Sequence, residues 1–459
     1  MAIPEHGSDA ASVLARLNGF HDRDLRWKEG RAFSLAYYAG PEAHAVATEA
    51  YSQFSSENSL NTDAFPSLKA MQADVIGNVC TLLGGDENSV GVFTSGGTES
   101  ILTAVKGARQ WGRARGVTQP EMVLPTTAHA AFSKAAAYFD VKAIRVPVDN
   151  DYRADIEAMA AAITPDTILL VGSAPSYPQG VIDPIAALGE LAQEFDALFH
   201  VDACMGFTMP FLQKLGLVEA SWNFTVPGVT SMSCDLHKYG YTAKGASVLA
   251  HRSKDLRKHQ FFLTSDWLGG LYGSPAILGT RSGGSLASAW AMQQYFGADG
   301  YLEITKRAYD ARVELEAGIC SIEGLAVRGK PETTLIAFGA DMGLPENERI
   351  DIYAVGDHLW ANGGSSGGSS DGLSEGSSEG LSEGSSSGLS EGSSSGSSSG
   401  SSGGWYCDRQ TPPDSLHCTV NAAHHGIIPK FLSALNASVD AVRANTSAVG
   451  DRTRAYGTL

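Results

Sequence analysis

The segment Thr94-Ser-Gly-Gly-Thr-Glu-Ser100 lies between a short apolar run and a predicted helix. Its two glycines let the backbone approach a ligand closely, and Ser95 and Thr98 supply hydroxyl groups. Backbone N–H groups at the start of a helix attract anions, so the segment predicts a phosphate site. The alternative is an ordinary strand-to-helix turn with serine and threonine caps. The pattern is neither a Walker loop nor G-x-G-x-x-G, so it does not indicate nucleotide binding.

A second segment, His200-Val-Asp-Ala-Cys204, ends an apolar strand. Open α/β sheets bind ligands beyond the carboxyl ends of their strands, which is where Asp202 would project. A carboxylate at that place can hold a cationic ring nitrogen. The alternative for Asp202 is an aspartate that caps the start of a helix.

A third segment, Ser231-Met-Ser-Cys-Asp-Leu-His-Lys-Tyr-Gly240, places Lys238 among small and polar residues, directly after His237. A lysine amine in such surroundings can act as a nucleophile that forms a Schiff base. Most lysines are solvated surface residues, and that is the alternative for Lys238 when it is considered alone.

In this order along the chain, the three segments resemble the fold type I pyridoxal-phosphate enzymes. A phosphate cradle, a carboxylate for the pyridinium nitrogen and a Schiff-base lysine are the groups that this cofactor requires. The resemblance implies an α/β fold of the fold type I transferase class, with a mainly parallel central sheet, helices on both faces and a small C-terminal α+β domain. It also implies pyridoxal 5'-phosphate as the cofactor.

A finer resemblance, to bacterial-type sphingosine-1-phosphate lyases, covers nearly the whole chain outside a Gly/Ser-rich segment. Related group II amino-acid decarboxylases typically have Asp-Ala-Ala and His-Lys-Trp, so Cys204 and Tyr239 favour the lyases. The other matching strings are Ala128-His-Ala-Ala-Phe-Ser-Lys-Ala-Ala, Gly180-Val-Ile-Asp-Pro, Phe261-Phe-Leu-Thr-Ser-Asp-Trp-Leu-Gly-Gly-Leu-Tyr, Gly279-Thr-Arg-Ser-Gly-Gly and Ser34-Leu-Ala-Tyr-Tyr-Ala-Gly, which resembles Ser-Gly-Ala-Val-Tyr in the family.

The resemblance assigns roles residue by residue. Lys238 would form the Schiff base, Asp202 would pair with the pyridine nitrogen and His129 would stack on the cofactor ring. Tyr38 would reach the substrate of the other subunit, and Lys244 would lie near the reacting centre. Without the resemblance, His129, Tyr38 and Lys244 would be a core histidine, a packing residue and a solvated lysine. The cofactor phosphate would be held by Ser95, Gly96, Gly97, Thr98 and His237, assisted by Thr280 of the partner subunit.

The implied reaction is a retro-aldol cleavage of a phosphorylated long-chain amino alcohol into a long-chain aldehyde and ethanolamine phosphate. Tyr38, Lys244 and the substrate phosphate are all candidates for the base, and the sequence does not choose among them. Two other hypotheses stay open. One is a group II amino-acid decarboxylase, and the other is a pyridoxal-phosphate scaffold without enzymatic activity, suggested only by the Gly/Ser-rich segment.

The elements that must position these residues alternate between strands and helices from about residue 67 to 318, which predicts a mainly parallel sheet covered on both faces. Residues 1–60 are expected to form an N-terminal arm, 61–315 the large cofactor-binding domain and 316–459 the small domain. The predicted strands are 90–94, 122–125, 142–146, 167–171, 197–201 and 415–420, and the predicted helices are 42–54, 99–115, 132–139, 156–163, 185–195 and 350–362.

Residues 363–404 form a Gly/Ser-rich segment in which 34 of 42 residues are glycine or serine. Such a composition cannot bury enough apolar area to offset its ordering entropy, so it predicts a flexible linker. An approximate eight-residue repeat makes the segment look engineered, although a natural low-complexity expansion would have the same composition. The segment lies between a predicted helix and a predicted strand, and we expect the flanking fold to survive it.

The charge of the chain narrows the choice of partners. There are 33 Lys and Arg residues against 50 Asp and Glu, a formal net charge of −17, which argues against a nucleic-acid partner.

There is no apolar run long enough to span a membrane and no signal-peptide pattern, so we expect a cytoplasmic protein. The six cysteines lack C-x-x-C spacing, so neither a metal site nor a disulfide framework is expected. The resemblance implies a homodimer with active sites at the subunit interface.

Overall fold

A computed structural model describes residues 3–362, 404–445 and 447–453. Its largest element is a seven-stranded sheet with the strand order β1-β7-β6-β5-β4-β2-β3. Six strands run parallel, and β7 is antiparallel to both of its neighbours. The strands are β1 (Val90–Thr94), β2 (Glu121–Pro125), β3 (Lys142–Val146), β4 (Thr167–Ser173), β5 (Leu198–Asp202), β6 (Ser231–Asp235) and β7 (Ser247–His251).

The centre of this sheet is buried on both faces. Every residue of β2, β4 and β6 is buried, as the apolar runs of a parallel sheet require. Helices follow most strands directly, so the chain returns across a face of the sheet each time. The helices are α1 (Ala10–Gly19), α2 (Pro41–Gln53), α3 (Pro66–Leu82), α4 (Gly97–Ala114), α5 (Ala131–Phe139), α6 (Ile156–Ala161), α7 (Ile185–Glu194), α8 (Met209–Lys214), α9 (Lys254–Arg257), α10 (Gly283–Ser321), α11 (Ile352–Asn362) and α12 (Ile428–Ala444).

A second, antiparallel sheet has the strand order β10-β11-β13-β12. Apolar residues of α11 and α12 share its core, with Phe338, Leu416 and Phe431 fully buried. A separate hairpin joins β8 to β9. The remaining strands are β8 (Phe262–Thr264), β9 (Tyr272–Ser274), β10 (Leu325–Val327), β11 (Leu335–Ala340), β12 (Asp408–Gln410) and β13 (Ser415–Thr419).

The predicted fold class is confirmed, and each predicted element is present with bounds that differ by at most two residues. The prediction did not include β6 and β7, so the single antiparallel strand of the large sheet was missed. The predicted linker 363–404 lies outside the described residues apart from Gly404. The domain division stays a prediction, and its boundary at 315 would fall within α10, which has non-helical backbone at Gly297.

Candidate active site

The carboxyl ends of β1, β2, β4, β5 and β6 meet at one edge of the large sheet and surround a cavity of about 330 Å³. This is the edge at which open α/β sheets bind ligands. The structure therefore brings together residues that are far apart in the sequence. The predicted site residues that line the cavity are Ser95, Gly96, Gly97, Thr98, His129, Asp202, His237 and Lys238.

The start of α4 forms one end of the cavity. Because α4 begins at Gly97, its first N–H groups have no partner within the helix and can bind an anion. A Cβ atom on Gly97 would lie 2.7 Å from both Asp235 Oδ2 and Cys204 Sγ, so only glycine fits there. The carboxylate of Glu99 accepts hydrogen bonds from the N–H of Ser95 at 2.7 Å and of Leu278 at 2.8 Å, which fixes the turn.

Asp202 ends β5, and its side chain is buried at the cavity wall. Its Oδ1 atom accepts hydrogen bonds from the N–H of Cys204 at 3.0 Å and the hydroxyl of Ser233 at 3.3 Å. Burial lowers the pKa of the adjacent His200 to about 4, so that ring is neutral at neutral pH. The next helical turn begins only at Gly206, so Asp202 does not cap a helix.

Lys238 lies just beyond the end of β6 and is paired with a carboxylate. Its Nζ atom lies 2.9 Å from Oδ2 of Asp235, and Nε2 of His237 lies 3.9 Å from the same oxygen. Burial by itself would raise the pKa of Asp235, but the charges of Lys238 and His237 outweigh it and lower that pKa below its ordinary value. Asp235 is therefore an anion that holds the lysine amine at the cavity.

His129 lies on the loop between β2 and α5. Its Nδ1 atom accepts a hydrogen bond from the N–H of Ala131 at 3.1 Å, which sets the orientation of the ring. The guanidinium of Arg145 donates to the carbonyl groups of Thr126 and Ala128 at 3.2 and 3.1 Å and so holds the loop. Burial lowers the pKa of His129, which keeps the ring neutral. A neutral, oriented imidazole is suited to stacking on a planar ring.

Three predicted residues, Tyr38, Lys244 and Thr280, are not among the described residues that line the cavity. Tyr38 packs edge-on against Trp27, with ring centroids 5.7 Å apart. The Nζ atom of Lys244 donates to the carbonyl oxygen of Leu35 at 2.9 Å. Thr280 accepts a weak hydrogen bond from Asn58 at 3.4 Å. Their predicted roles depend on a second subunit or on a bound substrate and stay predictions.

The cavity-lining residues that sequence reasoning did not assign to the site include Asp235 and Tyr177. Asp235 stands three residues before Lys238 in a quoted segment, so its spacing was a usable signal. Tyr177 follows β4 in a Pro-rich loop and carries no local signal. Its hydroxyl donates to Asp408, 231 residues further along the chain, at 2.5 Å.

The residues around the cavity fit pyridoxal phosphate. The N–H groups at the start of α4 face the cavity and can bind a phosphate group, and Asp202 supplies a carboxylate for the ring nitrogen. Lys238 supplies the amine, and His129 supplies a flat surface. These are the four groups that the cofactor needs, and they surround one cavity.

Most of this chain is similar to known proteins. Residues 25–341 match the family described as the pyridoxal-dependent decarboxylase conserved domain. The sphingosine-1-phosphate lyase of Oryza sativa subsp. japonica is 39% identical over 97% of this chain and 76% of its own length. Sphingosine-1-phosphate lyase 1 of Rattus norvegicus is 40% identical over 79% of this chain, which spans 63% of the rat protein.

Solved structures give the same result. The sphingosine-1-phosphate lyase of Burkholderia pseudomallei K96243 superimposes with a TM-score of 0.83 at 34% identity, covering 97% of this chain and 94% of that one. The glutamate decarboxylase of Lactobacillus brevis, with a TM-score of 0.77 at 19% identity, covers 96% of this chain and 95% of that one and shares the fold alone. The chain thus belongs to the sphingosine-1-phosphate lyase family of pyridoxal-phosphate-dependent lyases.

Proposed function

We propose that the protein cleaves the Cα–Cβ bond of sphingosine-1-phosphate or a closely similar phosphorylated long-chain amino alcohol. The products would be a fatty aldehyde and ethanolamine phosphate. The observation that carries this proposal is the arrangement of Lys238, Asp202 and His129 around one cavity, in a chain of this family. When bound, pyridoxal phosphate supplies an electron sink for the carbanion that forms at Cα.

The chain's own residues would position the reacting groups. Asp202 would keep the ring nitrogen protonated, because a buried carboxylate next to a cationic nitrogen stabilises its proton. His129 would hold the plane of the ring. Ser95, Thr98 and His237 would fix the phosphate, together with the N–H groups at the start of α4. Lys238 would hold the cofactor through its side-chain amine.

Lys244 supports the proposal as a candidate for the base. Its side chain keeps some exposure, but crowding by surrounding protein and the charge of Lys238 lower its pKa to about 8. An amine with such a pKa is partly neutral near physiological pH and can accept a proton. Its Nζ atom lies 5.0 Å from the centre of the Tyr37 ring, next to the predicted substrate residue Tyr38.

We propose a homodimer in which Tyr38 and Thr280 serve the active site of the other subunit. The hairpin of β8 and β9 supports this, because it exposes a cluster of large apolar side chains that a monomer would leave in water. Trp267, Leu268 and Leu271 are 56%, 109% and 79% exposed. Mixing Tyr38→Phe with Lys238→Ala subunits tests the arrangement, since mixed dimers would regain one complete site and part of the activity. A strictly monomeric active protein would contradict it.

The decisive experiment is incubation of the cofactor-loaded protein with a phosphorylated long-chain base, followed by assays for aldehyde and ethanolamine phosphate. Both products should form in equal amounts and disappear in Lys238→Ala. Carbon dioxide released from aromatic or acidic amino acids, without aldehyde, would favour an amino-acid decarboxylase. Retained cofactor without turnover on any amine would favour a scaffold without activity.

We also propose that the protein works in the cytoplasm on a small-molecule substrate. Within the part of the chain that the structure describes, no helix is long and apolar enough to cross a membrane. The acidic charge of the chain is unsuited to a nucleic-acid partner. Separation of cell extracts into soluble and membrane fractions, followed by the lyase assay on each, tests this location.

A further inference from the structure

The carboxylate of Asp408 is buried among hydroxyl groups beside the cavity, with 2% of the residue exposed. Its Oδ2 atom accepts hydrogen bonds from Ser34 Oγ and from Tyr177 Oη, each at 2.5 Å. Its Oδ1 atom accepts a third from Tyr406 Oη at 2.8 Å. All three donors are neutral, so hydrogen bonds rather than a cation stabilise the anion.

Three titratable groups that lie near Asp408 in the described chain are either uncharged or paired with another residue. His417 lies opposite Asp408 in the β12–β13 ladder, and burial lowers its pKa to about 4, so the ring is neutral at neutral pH. Burial raises the pKa of the Cys418 thiol, whose sulfur lies 3.6 Å from that of Cys407. The guanidinium of the adjacent Arg409 binds Asp357 instead, at 2.6 Å. Asp408 therefore carries the negative charge of this cluster.

Asp408 joins three parts of the chain at the cavity. It lies at the start of β12 in the small sheet, and Tyr177 lies on the cavity wall. Ser34 precedes Leu35, whose carbonyl oxygen binds the amine of Lys244. The ring of His417 lies 4.1 Å from the ring of Tyr177 and fixes the other side of the phenol. Tyr177 is thus held at the cavity wall by the hydrogen bond from its hydroxyl to Asp408 and by the contact of its ring with His417.

This geometry restricts what the Tyr177 hydroxyl can do. A phenol has one proton, and here that proton is donated to Asp408, so its oxygen can meet a substrate only as an acceptor. The proposed retro-aldol cleavage needs an acceptor for the proton of the substrate β-hydroxyl. We infer that Tyr177, rather than Lys244, is this acceptor and that Asp408 is the positioning residue that receives the phenol proton in turn.

The step is balanced and rests on the proposed function. The O–H bond of the substrate breaks as a new O–H bond forms at Tyr177, while the phenol's original proton moves to Oδ2 of Asp408. The electron pair left on the substrate oxygen becomes the second bond of the aldehyde carbonyl, and the pair of the Cα–Cβ bond moves to Cα. Tyr177 and Asp408 together take up one proton from the substrate hydroxyl. Formation of the product later consumes one proton at Cα, so the protons balance.

The test compares Asp408→Asn, Tyr177→Phe and the double variant in the cofactor-loaded enzyme. General-base roles contribute roughly 10²-fold or more, so we expect each single variant to lower kcat about 100-fold with little change in KM. Since both residues serve one relay, the double variant should be no slower than the slower single variant.

Two readouts separate this role from a structural one. A phosphorylated long-chain amine without the β-hydroxyl should bind Asp408→Asn as tightly as wild type, because no proton transfer is involved. Asp357→Asn, which alters a carboxylate of the neighbouring ion pair outside the cavity, should keep full kcat. Losses that multiply in the double variant, or a normal kcat in Asp408→Asn, would overturn the inference.

Two further results distinguish a failure of the Tyr177 and Asp408 roles from a failure of folding or of the proposed function. If Asp408→Asn does not fold, a wild-type kcat in Tyr177→Phe overturns the inference by itself. Wild-type protein that releases no aldehyde would count against the proposed function rather than against the relay alone.

Discussion

The Nζ atom of Lys238 lies 2.9 Å from Oδ2 of Asp235, a carboxylate whose side chain is 1% exposed. The residue assigned to tether the cofactor is therefore also the counter-charge of a buried anion. Removing one partner of such a pair leaves the other buried without compensation, and this is more destabilising than the pair itself is stabilising. Function and stability are coupled at this position.

Lys238→Ala should abolish the visible absorbance band of the bound cofactor and lower the free energy of unfolding of the cofactor-free protein by about 3 kcal/mol. Lys238→Arg, which keeps the charge but cannot form the Schiff base, should also lose the band while keeping most of the stability. Absorbance spectra and urea unfolding measure the two effects. A band that persists in Lys238→Ala would show that another lysine binds the cofactor.

Gly97→Ala should weaken cofactor binding at least tenfold and destabilise the protein by roughly 1–3 kcal/mol, because its Cβ would lie 2.7 Å from Asp235 and Cys204. Gly107→Ala is a matched control in the same helix. There the nearest atom is 3.6 Å away, so the substitution should stabilise the helix by about 0.5–1 kcal/mol. Fluorescence titration with pyridoxal phosphate compares the two. Equal affinities would contradict a phosphate site at the start of α4.

The pH dependence of the reaction tests Lys244 as the alternative to Tyr177 as the base. Crowding and the charge of Lys238 lower its pKa to about 8, so its neutral form grows as the pH rises through 8. If this amine, rather than Tyr177, accepts the substrate proton, kcat should rise over that range, and Lys244→Gln should lose the rise. The free energy of unfolding should change in the same direction as kcat. Between about pH 8 and 10.5 this lysine binds more protons in the unfolded chain than in the folded chain, so the free energy of unfolding increases with pH. The partial exposure of the side chain keeps this second effect small.

Steady-state rates from pH 6 to 9.5, for wild type and Lys244→Gln, measure the first effect. Lys134→Gln, at a lysine outside the cavity, serves as the control and should keep the wild-type profile. If kcat of Lys244→Gln still rises near pH 8, the rise belongs to the titration of another group.

The local sequence was enough to predict several groups that line the cavity. The turn before α4, Asp202 and Lys238 each directly follow a strand or lie at its end, and the carboxyl ends of parallel strands share one edge of the sheet. Strand position and short-range spacing therefore determine this part of the site.

The parts that were missed depend on contacts between distant residues. Tyr177 is fixed by Asp408, which lies in the other sheet, and no local pattern links the two. The antiparallel β7 lies between β1 and β6, and the order of strands in a sheet is not encoded by hydrophobic period. Asp235 is the last residue of β6 and pairs with Ser247 of β7, so its burial depends on long-range contacts that the local pattern does not show.

Leu35 has a left-handed backbone, with φ of +67°, at the position where the resembling family segment has glycine. That conformation costs a non-glycine residue about 1–2 kcal/mol, and the side chain is 58% exposed, so it gains little from burial. Leu35→Gly should leave the free energy of unfolding within about 1 kcal/mol of wild type, since relief of strain offsets the added freedom of the unfolded chain. Leu35→Val should lose at least about 1 kcal/mol, because a β-branched residue fits this conformation poorly. A higher urea midpoint for Leu35→Val than for Leu35→Gly would contradict backbone strain at this position.

Replacing 363–403 with three glycines should leave kcat unchanged. The chain on either side of this segment is close together, because the N–H of Trp405 donates to the carbonyl oxygen of Leu359 at 3.1 Å. Closing a short loop instead of a long one should stabilise the protein by roughly 2 kcal/mol, from the logarithmic dependence of closure entropy on length. Urea unfolding and the aldehyde assay measure both quantities. A large loss of turnover with an intact fold would show that the Gly/Ser-rich segment takes part in the reaction, against the expectation from its composition.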